Sequence, residues 1–139
     1  MIFLDTNILA ESMRPVPDRI VLSWLVHHDR ELLIPSVVIG EIAYGIRKLG
    51  QTVQAERLAK GLSSWRERYA GRIIAFDDES AMMFGDLLGD ARSAGRPMSV
   101  QDAMIAAIAL RHRGRLATRN SRDFQCRGLV LINPFDWLA

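Results

Sequence analysis

The sequence predicts a three-layer α/β/α sandwich around a mostly parallel, five-stranded sheet, and three observations carry that expectation. Short β-type runs alternate with longer stretches at helical spacing, the alternation of βαβ units. The runs are continuously apolar, as strands covered by helices on both faces must be. The chain has 139 residues, 49% hydrophobic and 24% charged, enough to bury a core without metal or disulfide staples.

The elements follow in order. "MIFL" is the first strand and runs straight into Asp5. Residues 6 to 13 form a short helix. Residues 18 to 28 form another, with Asp18 capping it and Ile20, Val21, Trp24 and Leu25 as its apolar stripe. "ELLIPS" is the second strand. Ser36 opens a helix whose Ile39, Ile42, Ile46 and Leu49 keep the helical period, and Gly50 stops it. A long helix from about 52 to 69 precedes "RIIAF", the third strand. "FDDES" is a cap cluster for a helix running to Gly95, in which Met82, Met83 and Phe84 are assigned to the core. Ser99 opens "SVQDAMIAAIALRHR", which Gly114 ends. "RLAT" and "LVLIN" are the last strands. Trp65 and Tyr69 fit either the core or a partner surface. No repeat, low-complexity segment or linker divides the chain, so residues 1–139 are expected to form one domain.

Charge and cysteine narrow the setting. The net charge is +2, and of 18 basic residues only Lys48 and Lys60 are lysine. Arginine's planar fork suits phosphate or carboxylate partners, although solvated helix faces explain the composition as well. The single cysteine, Cys126, cannot form an internal bridge, and no signal-peptide pattern precedes the first strand, so a cytoplasmic location is expected. Charged residues interrupt every apolar run short of a membrane span. His27, His28 and His112 sit at helix ends, where an imidazolium suits the dipole, and no Cys or His spacing supports zinc.

Four acids raise the question of chemistry. Asp5 follows the first strand immediately, at the carboxyl edge where open α/β sheets bind ligands; it also suits a helix cap. Asp102 lies three residues after Ser99, the capping-box spacing, so cap and site both remain open. Glu41 lies beside an apolar stripe, where a carboxylate either reaches solvent or needs a cation to stay ionised. In "ATRNSRDF", Thr118, Asn120 and Asp123 follow the fourth strand, in a pattern that turn chemistry also produces. Together the acids point to one use. Carboxylates gathered at one edge repel one another unless a divalent cation compensates them. An all-oxygen set suits magnesium or manganese, which activate water and hold a phosphodiester for hydrolysis.

"MIFLDTNIL", "EIAYGI", "QDAMIAAIA" and "LATRNSRDF" occur in an order and context that resembles PIN domains, and within them the VapC-like toxins of type II toxin–antitoxin modules, FitB-like branch. The likeness runs almost to the end of the chain, through "INPFDW". It implies a magnesium- or manganese-dependent endoribonuclease, usually a homodimer, neutralised by a small cognate antitoxin in a higher-order complex. It also implies the strand order 3-2-1-4-5, which sets the first strand beside the fourth. Asp5, Glu41 and Asp102 match the family's first three acids, and Thr6, Asn7 and Thr118 match polar residues that orient them. The fourth acid matches either Asn120, an amide here, or Asp123; whether one metal or two is held stays open.

Arg119 and Arg122 border the proposed site and are the candidate RNA-phosphate contacts. Two rival enzymes lack key residues. An aspartyl phosphotransferase of the haloacid-dehalogenase type needs a second Asp where Asn7 stands, and a receiver domain needs a late lysine where none follows Lys60. The remaining alternative is a PIN-like module without catalysis, acting with its antitoxin in a DNA-binding complex.

Overall fold

The structure, a computed structural model, describes residues 1–139. Five strands form one sheet: β1 (Ile2–Leu4), β2 (Leu32–Pro35), β3 (Ile73–Ile74), β4 (Arg115–Ala117) and β5 (Leu131–Ile132). Their order is β3-β2-β1-β4-β5 and every pairing is parallel. Fold class and strand order are therefore as expected, with no antiparallel member.

Strand β1 is the centre. Phe3 pairs with Leu33 on one side and Leu116 on the other, and Ile2, Phe3 and Leu4 are fully buried. Six helices cover the sheet: α1 (Thr6–Ser12), α2 (Arg19–His27), α3 (Ser36–Lys48), α4 (Val53–Arg68), α5 (Asp78–Ser93) and α6 (Val100–Arg111). No helix is long and apolar enough to cross a membrane. A single cluster of 24 buried apolar residues joins strands and helices, so both helical layers share one core.

The most enclosed helix is α6, in which Ala103 and every residue from Ile105 to Ala109 is buried. Its alanines let backbone approach backbone, so the helix fits between α5 and the sheet. Helix starts follow the sequence. Asp18 Oδ1 accepts from the N–H groups of Ile20 and Val21, Thr52 Oγ1 from Ala55 and Asp77 Oδ1 from Ser80, satisfying donors that a first helical turn leaves free.

Three local expectations are corrected. Met82 is exposed, while Met83 and Phe84 pack against the core; at 100° per residue three consecutive side chains cannot share one face. Ile20 is exposed on the flank of a stripe centred on Val21, Trp24 and Leu25. At the end of α6 the left-handed residue is Arg113, φ +56°, rather than Gly114. Arg113 N–H donates to Leu110 O and Gly114 N–H to Ala109 O, a Schellman closure. Gly114 is required for space: a Cβ there would lie 2.5 Å from Phe3 Cε2.

Trp65 and Tyr69 stack on each other. Trp65 is only partly buried and donates from Nε1 to Ser12 Oγ at 3.0 Å. Tyr69 is buried and donates its hydroxyl to Asp29.

Candidate active site

The carboxyl edge of β1 and β4 carries the site. The ladder continues one residue beyond β1, because Asp5 N–H donates to Ala117 O at 3.0 Å. That bond fixes Asp5 opposite Thr118. Asp5 then caps α1, with Oδ1 accepting from Thr6 N–H at 2.8 Å. The cap uses one oxygen. Oδ2 accepts from the Thr118 hydroxyl and from Asn7 Nδ2, both at 2.7 Å. The cap on α1 thus leaves the second oxygen of Asp5 to the Thr118 and Asn7 side chains.

Asn7 is held from both ends, since its Oδ1 accepts from Arg119 N–H at 3.2 Å. The Thr118 oxygen also accepts from Asn120 N–H at 3.0 Å. The loop after β4 is tied to the loop after β1 by these side chains. Thr6 contributes its backbone to Asp5, while its hydroxyl is buried without a partner.

Asp102 stands in the first turn of α6, where Ser99 Oγ accepts from Asp102 N–H at 3.1 Å. The cap engages the Asp102 backbone and leaves its carboxylate to face Asp5 and Asp123, whose charges it feels. Glu41 enters from α3 and feels the charges of Asp5 and Asp102. Its Oε1 is buried with no hydrogen-bond partner. Asp123 lies in a 3-10 turn, Ser121–Phe124, for which Asn120 is the cap residue. Charges from four parts of the chain therefore bear on one region, Asp5 and Asp102 acting on Glu41, and Asp123 acting on both Asp5 and Asp102.

Their protonation follows from that crowding. Burial is the main force raising the Asp5 carboxyl, offset in part by Thr118, Thr6 and Asn7, with Asp123 adding repulsion. Burial also leads for Glu41, opposed by the nearby Thr6 hydroxyl and reinforced by Asp5 and Asp102. Asp102 is raised by burial first and then, against the Ser99 hydroxyl, by Asp5 and Asp123. A nearby cation would compensate the charge that each of the three otherwise carries at a cost. The oxygen-only donor set and the orphaned Glu41 oxygen fit a hard divalent ion. The acids are nonetheless spread: no three of them, with histidine and cysteine counted, close to a common metal-binding distance.

The arginines divide. Arg119 lays its guanidinium over the Phe135 ring, 4.2 Å from the centroid. Arg122 lines a small polar pocket with Asp102 and Asp123. The same pocket contains Arg96, which sequence reading passed over; its signal was the Gly-Arg-Pro turn directly before the Ser99 cap. The histidines take no part. His27 and His28 pack with Trp137, and His112 stacks on Phe3. Burial pushes the Cys126 thiol up, aided by Asp102, so it is a poor nucleophile.

An all-parallel 3-2-1-4-5 sheet with acids converging beyond β1 and β4 defines a PIN-type α/β/α domain. The comparisons agree: residues 2–127 match the family model for the PIN domain, and the chain belongs to that family. It is 31% identical to the VapC ribonuclease Y4jK of Sinorhizobium fredii, over 98% of this chain and 99% of the relative. It is 30% identical to Toxin FitB of Neisseria gonorrhoeae, over 97% and 99% respectively. Among solved structures, FitAB bound to an IR36 DNA fragment superposes with a TM-score of 0.89 at 28% identity, covering 100% of this chain and 99% of that one.

Proposed function

We propose that this protein is a magnesium- or manganese-dependent endoribonuclease and the toxin of a type II toxin–antitoxin pair. One observation carries the reading: Asp5, Glu41 and Asp102 come from separate elements to one region, near enough for Asp5 to repel both of the others. Converging buried charge is costly unless something compensates it. The family membership and the VapC ribonuclease relative support RNA as the substrate.

Asp5, Asp102, Glu41 and Asp123 would hold the metal. Bound there, a divalent ion supplies activated water and charge stabilisation on a phosphodiester. The chain's own residues do the positioning. Thr118 and Asn7 fix Asp5 Oδ2 from two sides. Thr6 offers a free hydroxyl beside Glu41. Asp123, rather than Asn120, is the fourth acid, because its charge reaches both Asp5 and Asp102 whereas the Asn120 amide carries none.

The FitB and FitAB relatives support a joint complex able to bind DNA; a small cognate antitoxin as the partner and a homodimeric toxin complete the proposal. The reading places the protein in the cytoplasm. The test is cleavage of single-stranded RNA: activity should vanish in EDTA and return with magnesium or manganese. Asp5→Asn, Glu41→Gln and Asp102→Asn should each abolish cleavage and growth arrest on expression while retaining antitoxin binding. Asp123→Asn should cost far more activity than Asn120→Ala. Inertness of the wild type toward varied RNAs with either metal would leave the non-catalytic module in its place.

A further inference from the structure

The pocket beside Asp102 and Asp123 is small, about 100 Å³, and two arginines share it with the acids. Neither Arg96 nor Arg122 enters any of the four ion pairs of the structure. Neither guanidinium is tied up in a pair, so both are free to take an anion, against the repulsion of Asp102 and Asp123.

Their placement is built into the backbone. Helix α5 ends in a Schellman closure: Gly95 is left-handed at φ +69°, its N–H donates to Arg92 O, and Arg96 N–H donates to Ala91 O at 2.9 Å. Pro97 and Met98 then lead into the Ser99 cap of α6. The rim carrying Arg96 is therefore fixed at both ends. Arg122 stands across from it on the 3-10 turn that also carries Asp123.

Behind this pocket lies a larger cleft of about 630 Å³, and Arg96, Met98 and Gln125 line both. Met83, Leu87 and Leu110 line it with apolar surface, and Asp86, Asp90 and Arg127 bring charge to it, the two carboxylates from the α5 side. Its volume falls in the range of small-ligand sites. Those carboxylates repel phosphate but accept hydrogen bonds from the N–H groups of a nucleobase. The Gln125 amide donates to Ser121 O at 2.9 Å, which leaves its oxygen as a further acceptor.

We propose that these adjoining cavities form a nucleotide subsite. Arg96 and Arg122 clamp the RNA phosphate next to the scissile one, and its base lodges in the cleft over Met98 and Leu110, before Gln125. This rests on the ribonuclease reading and adds to it where the strand runs and which residues select a base beside the cut.

The experiment uses the full chain. Binding is measured by fluorescence anisotropy of a labelled single-stranded RNA on the Asp5→Asn background, so that cleavage does not interfere. Arg96→Ala and Arg122→Ala should each weaken binding about tenfold and flatten the salt dependence by about 0.7 in log–log slope. In the cleaving enzyme both should raise KM with little change in kcat. Sequencing of products from a randomised RNA should show a base preference adjoining the cut that Met98→Trp, which fills the cleft, abolishes. Gln125→Ala, on the exposed rim, should shift the same preference and serves if Met98→Trp misfolds. Unchanged binding and salt slope in both arginine variants would overturn the clamp. No adjoining preference, or one that Met98→Trp and Gln125→Ala leave intact, would overturn the base cleft. If the wild type cuts no RNA, the nuclease reading fails, and binding by the Asp5→Asn series still decides the clamp.

Discussion

Thr118 and Asp5 stand 113 positions apart, yet the Thr118 hydroxyl donates to Asp5 Oδ2 at 2.7 Å across the β4–β1 junction. Replacing that donor with an isosteric methyl leaves a buried carboxylate oxygen one partner short. Thr118→Val should cost about 1–3 kcal/mol in urea unfolding and lower RNA cleavage sharply, whereas Thr118→Ser should retain both.

Glu41 offers the opposite trade. Its carboxyl is raised, and its buried oxygen has no partner. A carboxyl raised in the folded state destabilises the fold at pH values above its folded pKa, and the penalty disappears below its unfolded value. Metal-free wild type should therefore gain stability as pH falls toward the ordinary carboxylate range. Glu41→Gln should flatten that dependence and raise the neutral-pH Tm in EDTA. With magnesium present the wild type should regain the advantage, which calorimetry with and without the ion measures.

The end of α6 gives two changes of opposite sign. Arg113 occupies a left-handed conformation, so Arg113→Gly should stabilise the fold by up to ~1 kcal/mol. Gly114→Ala places a methyl against the Phe3 ring and should cost about 1–3 kcal/mol. Thermal melts of the pair resolve the difference.

Tyr69 donates to Asp29, and that bond is the leading cause of the lowered Asp29 carboxyl, helped by Arg68 and Arg72. Tyr69 itself is pushed up to about 12, chiefly by burial and then by Asp29, so it remains a donor. A lowered carboxyl stabilises above its unfolded pKa, and the gain is lost as pH falls through the folded value. Tyr69→Phe should cost about 1 kcal/mol at neutral pH. The deficit should shrink in acid, a convergence that unfolding curves at pH 7 and pH 2 detect.

The strands and helices were legible because continuous apolar runs and 3.6-residue stripes are local patterns. The first three acids were legible only through motif order, since nothing local separates the cap from the site at Asp5 or Asp102; Asp5 does cap α1 with one oxygen, while at α6 the cap is Ser99 and Asp102 gives it only its backbone N–H. Arg96 escaped notice because its importance arises from a loop closing beside a turn 26 positions later, a relation with no period. Arg113 escaped because the glycine beside it looked like the obvious terminator, and the Phe3 ring that claims Gly114 comes from the other end of the chain.

Asp5 leaves the ribosome 113 residues ahead of its hydroxyl partner, which stands just past β4, so a nascent polypeptide carries an unfinished centre until that strand is made. Only when β4 slides in beside β1 does the pocket close. If the enzyme attacks RNA as proposed, its own messenger is out of danger until β4 has been made, a delay set by the pairing of β1 with β4.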